Sequence, residues 1–173
     1  MRDFGGYDYN GAITDLEKIE YKLRKLDSSF NEISFSFDKT RKMILNGGNA
    51  FKIVPSGLAV NGMIDFSILK NTKNIQNPSE FLREENRSRI GNLINYREIT
   101  SKEIVILDRL GSLLVFSYRE GSVEMICHQI VCSGLDKEKI YLIKYEEEKE
   151  KKSSVQIFET FVESLRVGQR SPA

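Results

Sequence analysis

The spacing of apolar residues changes along the chain from a helical period to a strand period. Between residues 14 and 26 the apolar positions recur at intervals of three and four, which predicts an amphipathic helix opened by a capping box at Thr14 and Glu17. From Glu32 to Asp38 isoleucine and phenylalanine alternate with polar residues, and this period of two predicts a half-buried strand. A turn at DKTR then leads to another short strand, so residues 32–45 are predicted to form a hairpin.

The remainder of the chain alternates blocks of strands with two further helices. The predicted strands are residues 50–55, 62–70, 95–100, 103–107, 112–119, 122–132 and 139–146. One helix begins after the N-cap Asn77, with Pro78 at its first position, and the last begins near Ser153 or Ser154. This order contains no alternation of single strands and helices, which favours an α+β fold in which an antiparallel β-sheet is flanked by helices.

Length and charge narrow the class of protein. A chain of 173 residues, 40% of them hydrophobic, is long enough to bury one core. We expect a single domain over residues 14–167, with a flexible N-terminal arm (1–13) and a flexible C-terminal tail (168–173). The net charge of +1 gives no strong field for nucleic acid or for an anionic membrane, so neither is predicted as a partner.

Cysteine count and hydropathy bear on the compartment. Two cysteines are too few for a disulfide scaffold, and free thiols suit a reducing environment. The N-terminus has no apolar signal-peptide core, and no later window is long and apolar enough to span a membrane. These features predict a cytoplasmic protein.

The segment SLLVFSYREGSVEMICHQIVC, residues 112–132, holds the single histidine and both cysteines. In a strand Cys127 and His128 point to opposite faces and cannot exchange a proton. Cys132 shares a face with His128, but four residues at ~3.3 Å each separate their backbones by ~13 Å. The pattern therefore predicts core residues and no catalytic residue; a small enzyme that uses Cys132 and His128 is the alternative.

Metal and cofactor sites are not predicted. One histidine, two cysteines and scattered carboxylates do not have the spacing of a zinc or calcium site. The glycine-rich NGGNAF lacks the GK[ST] ending of a phosphate-binding loop.

The supply of apolar strand residues is the strongest functional signal. If the helices leave part of this surface uncovered, it would form a groove for an apolar helix or strand of another protein; complete cover by the helices is the competing interpretation. The candidate partner-binding residues are Phe35, Phe37, Phe51, Ile53, Ile64, Phe66 and Ile68. The helix at 14–26 must also dock, on its own sheet, on the partner or on a second copy of the chain in a homodimer.

Residues 50–167 resemble the Mog1/PsbP-like group, in particular its DcrB-type members (domain of unknown function 1795). The resemblance is carried by FKIVPSGL, MIDFSILKN, SEFLREENRSRIGNL, the meander RLGSLLVFSYREGSVEMICHQIVC, KIYLIKYE and the closing FETFVESLRV. It implies an α/β/α sandwich and a role in binding, since members include photosystem subunits, a nuclear-transport factor and Eag-type secretion chaperones. The helix 14–26 and the hairpin 32–45 are additions to this pattern.

Together these features predict a non-enzymatic cytoplasmic protein-binding module, an adaptor or secretion-type chaperone that uses an apolar sheet face or groove. A small enzyme and a nucleic-acid-binding domain are the alternatives.

Overall fold

The computed structural model describes residues 18–27, 31–38, 41–45, 50–56, 61–71, 77–90, 92–134 and 138–169. Ten strands and two helices lie in these ranges. In chain order they are β1 (Lys18–Asp27), β2 (Asn31–Asp38), β3 (Arg41–Leu45), β4 (Ala50–Pro55), β5 (Met63–Lys70), α1 (Pro78–Ile90), β6 (Ile94–Ile106), β7 (Arg109–Glu120), β8 (Val123–Ser133), β9 (Lys139–Glu148), α2 (Val155–Ser164) and β10 (Arg166–Gln169).

Seven of these strands form one sheet in the order β3-β4-β5-β9-β8-β7-β6. Every neighbouring pair is antiparallel, as the order of predicted elements indicated. Strands β6, β7 and β8 form a meander, because tight turns join them in sequence. At the β7–β8 turn Gly121 has a φ of +63°, the left-handed conformation that such a hairpin turn requires.

The two faces of this sheet carry separate apolar clusters. On one face Phe81 and Leu82 of α1 pack on β7 and β8 side chains that include Phe116. The other face is covered by α2 together with a second sheet of three strands, in the order β1-β2-β10. This second cover is strand as well as helix, so it departs from the helical layer of the predicted α/β/α sandwich.

Residues 18–27 are a strand, and the helix predicted over residues 14–26 is wrong for this part of the chain. β1 pairs antiparallel with β2, with Leu23 opposite Ile33. The stretch KIEYKLR, residues 18–24, also alternates apolar and charged residues, and Tyr21 fits that alternation but not the helical stripe. Because a helix of this length is marginal by itself, pairing with β2 decides between the two periods. Residues 14–17 and the predicted arm lie outside the described residues.

The predicted hairpin over residues 32–45 is also wrong, because β2 and β3 belong to different sheets. β2 pairs with β1 and β10, whereas β3 pairs with β4. The apolar face of β2 lies over the large sheet, where the Phe35 ring stacks on Phe51 with 4.5 Å between centroids. The chain therefore passes from one layer to the other between Asp38 and Arg41, a change that the local pattern does not indicate.

Both later helices begin where their capping signals predict. The Asn77 side-chain oxygen accepts a hydrogen bond from the Ser79 N–H (2.8 Å) at the start of α1. Ser154 precedes α2, whose buried side includes the predicted Val155, Phe158 and Val162.

The structure places two element boundaries differently from the sequence-based prediction. The strands predicted at 95–100 and 103–107 are a single strand, β6, whose register with β7 shifts at two irregularities. β10 includes Gly168 and Gln169, the first two residues of the predicted tail. Residues 170–173 lie outside the described residues.

Candidate functional site

The seven candidate partner-binding residues lie in the interior. All are at most 5% exposed, and they pack between the large sheet, the three-stranded sheet and α2. Phe51, for example, stacks on Phe66 with 5.0 Å between centroids and meets Phe161 of α2 edge-on. In this arrangement α2 and β2 cover the surface that the sequence left open, and the seven residues pack against one another.

The cysteine and histidine residues are core residues, as the strand period predicts. Cys127 packs in the cluster under α1, whereas His128 lies on the other face against the rings of Tyr145 and Phe158. Burial raises the pKa of the Cys127 thiol well above its usual value. It raises that of Cys132 to about 12, against the opposing effect of Arg109. Because the thiolate is the nucleophile, these raised pKa values argue against a reactive thiol at neutral pH.

A buried carboxylate, Glu147, fixes the start of α2. It accepts hydrogen bonds from the Tyr145 hydroxyl (2.6 Å), the Ser153 hydroxyl (2.8 Å) and the Ser154 N–H (3.0 Å). Burial, and then the neighbouring carboxylate, raises the pKa of Tyr145. The sequence places Glu147 in a charge run that predicts a solvated segment; it turns inward because β9 continues to Glu148 and keeps the strand period. This group satisfies one orphan N–H at the start of the helix, that of Ser154, and is structural.

The residues before β5 are tied to the same region. Asn61 donates to the Glu148 carbonyl (3.0 Å) and accepts from the Glu148 N–H (3.0 Å), while the Arg41 guanidinium donates to the Asn61 carbonyl. Gly62 has a φ of +93°, and an added Cβ would lie 2.5 Å from Cε1 of Tyr145. The close approach of the 61–62 backbone to Tyr145 therefore requires glycine at 62.

Exposed apolar side chains concentrate on β6 and β7. Of the six large apolar residues that are exposed in the described ranges, Ile94, Ile99, Val105 and Leu110 lie on these two strands. Val105 and Leu110 are directly opposite in register, 57% and 54% exposed, and form an apolar pair at the hairpin tip. β6 is also the last strand of the sheet, so its outer backbone groups have no strand partner within the described ranges.

Charges on β6 are sorted between the two faces of the sheet. Arg97 lies opposite Ser117 and Lys102 opposite Leu113, both on the α2 face. Glu98 and Glu103 lie opposite Phe116 and Ser112, on the α1 face. Arg97 and Lys102 are five positions apart, as are Glu98 and Glu103. In a regular strand an odd spacing would place the members of each like-charged pair on opposite faces. The irregularity between Glu98 and Thr100 puts them on the same face.

A cleft of about 600 Å³ opens beside the hairpin tip. This volume lies within the roughly 300–1,000 Å³ typical of ligand sites. Three elements build it: the β6–β7 turn, the last turn of α2 and β10. Its lining residues are Leu107, Asp108, Arg109, Val162, Glu163, Arg166 and Val167.

The β6–β7 turn holds two non-glycine residues in the left-handed region. Leu107 has a φ of +54° and Asp108 a φ of +58°, which is the backbone of a two-residue hairpin turn. Leu107 is also packed against the larger core cluster. The turn is therefore attached to the interior and sets one wall of the cleft.

Two guanidinium groups stand in this cleft, each anchored by backbone carbonyls. Arg109 donates through Nη1 to the Ser133 carbonyl (2.8 Å). Arg166 donates through Nη1 to the carbonyls of Glu163 and Leu165 (2.7 Å each). Within the described part of the chain, these bonds leave Nε and Nη2 of each arginine without an acceptor. The sequence offered no signal for this pair, because the two residues line one cleft only through the packing of β10 and α2 near the hairpin.

The described residues contain no group of three or more histidine, cysteine or acidic side chains able to hold a metal ion. No helix in the same ranges is long and apolar enough to cross a membrane.

The architecture is similar to that of several solved structures. The Ran-binding protein Mog1p of Saccharomyces cerevisiae aligns with a TM-score of 0.63 at 7% identity, over 91% of this chain and 97% of that one. The PsbP protein CyanoP of Synechocystis sp. PCC 6803 aligns with a TM-score of 0.54 at 10% identity, over 93% of this chain and 98% of that one. A protein from Bacteroides thetaiotaomicron aligns with a TM-score of 0.58 at 11% identity over 86% of this chain; the chain spans about half (48%) of that protein's length.

These likenesses define a class of fold. No protein-family model matches the sequence, and no curated protein matches it. At identities this low the shared property is the fold, which is Mog1/PsbP-like, as the resemblance of residues 50–167 implied. Coverage of 91% by Mog1p reaches beyond those residues, so part of the segment before residue 50 belongs to the common fold and is not an addition to it.

Proposed function

We propose that this chain is a non-enzymatic protein-binding module, an adaptor or secretion-type chaperone of the cytoplasm, and that it binds its partner along the β6–β7 edge. The observation that carries this proposal is the concentration of exposed apolar side chains on that edge. The proposal moves the binding surface from the seven interior residues to Ile94, Ile99, Val105 and Leu110, which are within reach of another protein.

The edge offers both kinds of contact that a bound segment uses. Its outer backbone groups can hydrogen-bond an added strand, and the exposed pair Val105 and Leu110 can bury against apolar residues of the partner. Mog1p, which has the same fold, is a Ran-binding protein, and this supports a protein partner for the present chain. Assignment to the DcrB-type or Eag-type branch remains a prediction.

Capture followed by a direct affinity measurement tests the proposal. The tagged full chain is used to isolate a stoichiometric partner, which is then purified and titrated against variants. Val105→Glu and Leu110→Glu should each weaken binding on the order of tenfold or more, as expected for residues at the centre of an interface. Leu45→Glu is the matched control, because Leu45 is as exposed as Val105 but lies on β3 at the opposite edge of the sheet.

Equal affinity for all three variants would refute the edge as the binding surface. The enzyme alternative is tested separately by native thiol titration at neutral pH. We expect Cys127 and Cys132 to react only after denaturation; rapid labelling of Cys132 in the folded protein would support the enzyme and contradict the present proposal.

A further inference from the structure

We infer that the cleft between the β6–β7 turn and the end of α2 binds the C-terminal residue of a protein partner, with its carboxylate on Arg109 and Arg166. This inference rests on the proposed function, since it names the part of the partner that the cleft would receive. It assigns a specific ligand group to a site at the same hairpin tip as Val105 and Leu110, on the opposite face of the sheet.

The two guanidinium groups are pre-positioned for an anion. Each uses Nη1 to hold backbone carbonyls of its own neighbourhood, which restrains the side chain before any ligand arrives. The remaining donors, Nε and Nη2, lie on one edge of the planar group and match the two oxygens of a carboxylate. Because Arg109 belongs to β7 and Arg166 to β10, the ligand would bridge the large sheet and the small one.

Charge alone does not describe the ligand. Asp108 and Glu163 also line the cleft, so the two arginines are balanced and a simple polyanion gains no net attraction. A terminal residue of a peptide fits better. It carries a carboxylate for the arginines, and its amide N–H can donate a hydrogen bond to the Asp108 carboxylate.

The apolar part of the lining selects the side chain of that residue. Leu107, Val162 and Val167 contribute apolar surface to the cleft. A C-terminal leucine, valine or isoleucine would bury its side chain there while the carboxylate meets the arginines. Val105 and Leu110 lie at the same hairpin tip but on the other face of the sheet, so the residues before the terminal one would reach them by crossing the outer edge of β6.

A titration with small probes tests the site without the partner. The full chain, labelled with ¹⁵N, is titrated with N-acetyl-leucine, with N-acetyl-leucinamide and with inorganic phosphate, and amide shifts are followed by NMR. N-acetyl-leucine should shift residues 107–109 and 163–167 in a saturable manner. The amide probe should bind about tenfold more weakly, the loss expected when a charge-assisted hydrogen-bonded pair is removed.

Arginine variants provide the second arm. Arg166→Gln and Arg109→Gln should each weaken N-acetyl-leucine by a similar factor, with thermal melts used to confirm that the fold is kept. Arg119→Gln, at the other end of β7 and exposed, is the matched control and should bind as the unmodified chain does.

Three results would overturn the inference: no saturable shift with N-acetyl-leucine, equal binding of its amide, or equal binding of phosphate. The outcome is separable from that of the proposed function. If Val105→Glu loses partner binding but N-acetyl-leucine does not bind the cleft of the unmodified chain, this inference is refuted and the proposed function is not. A probe that occupies the cleft, in a chain whose partner binding ignores Val105 and Leu110, refutes the binding edge and leaves the carboxylate site standing.

Discussion

Replacing Gly62 by alanine tests the close approach between the segment before β5 and Tyr145. The position combines a φ of +93° with a Tyr145 ring so near that an added Cβ would lie 2.5 Å from Cε1 and 2.7 Å from Cζ. Tyr145 cannot move freely, because it is fully buried, stacks on Phe158 at 5.2 Å and donates to Glu147.

The expected loss of stability is the sum of a backbone-strain term and an overpacking term, less a term for the entropy of the unfolded chain. A positive φ costs a non-glycine residue roughly 1–2 kcal/mol. Overpacking against a fixed ring adds roughly 1–3 kcal/mol. Alanine lowers the conformational entropy of the unfolded chain, which stabilises the folded state by roughly 0.4–1 kcal/mol and offsets part of this cost. We therefore expect Gly62→Ala to lower the free energy of unfolding by about 3 kcal/mol, a large share of the roughly 5–15 kcal/mol typical of a domain.

Gly121→Ala is the matched control, because it has the backbone strain without the contact. Gly121 has a φ of +63°, and an added Cβ there meets nothing within 4 Å. Its expected cost is about 1 kcal/mol, the strain less the entropy gain. Urea denaturation followed by circular dichroism gives both values, provided that the slope m is the same for each variant.

Equal costs for the two variants would refute the packing of Tyr145 against the Gly62 backbone. A second check makes Gly62→Ala in a Tyr145→Phe background, which lacks the hydroxyl next to the added methyl group. If the contact is as described, Gly62→Ala should cost less in the phenylalanine background than in the original chain.

The remaining predictions concern α1, the sheet face and the edge. Asn86→Leu should cost about 1–3 kcal/mol, because it leaves buried Gln129 without the 2.6 Å bond between Nδ2 and Oε1; the double variant with Gln129→Leu should recover most of this loss in a denaturant cycle. Burial raises the pKa of Asp65 above 3.8 in spite of Lys52, so the folded state holds the charged form less well than the unfolded chain. Asp65→Asn should therefore raise the melting temperature at pH 7, and the gain should disappear as the pH falls through the raised pKa to below 3.8. Lys102→Glu should increase self-association in sedimentation, because an antiparallel copy of β6 would then set Arg97 opposite the new carboxylate at roughly 0.2–1 kcal/mol per pair. The original chain should not associate through this edge, where cations of both copies would share one face and carboxylates the other; a dimer through β6 would contradict the sorting of its charges.

Local patterns account for most elements of the fold. Strands with a strict period of two appear where predicted, and so do the two helices that follow Asn77 and Ser154, since these signals are decided by neighbours in sequence. The segment 18–27 shows the limit of such reasoning. Its residues satisfy a helical and a strand period at once, and the choice depends on β2, which pairs with it.

The candidate site was less accessible from sequence than the fold. Alternation marks Phe35, Phe51 and Phe66 as apolar strand residues, but it cannot state whether another layer covers them. Here β2 itself folds over the sheet, so the residues predicted as a binding surface become each other's neighbours. Arg109 and Arg166 carry no motif, and the sequence contains no signal that β10 would bring the second to the same cleft as the first.

Rigidity connects the core to the proposed binding edge. A left-handed Leu107 costs roughly 1–2 kcal/mol relative to glycine, and its packing against the main core cluster offsets that cost. The strain at this residue is thus explained by its packing and is not by itself a sign of function. Its consequence is mechanical, because a turn anchored through a partly buried leucine holds Asp108 and Arg109 in one arrangement. A partner that binds a surface already ordered by the core loses less conformational entropy at the interface, and this favours the hairpin end of the sheet over a flexible loop as the place where another chain docks.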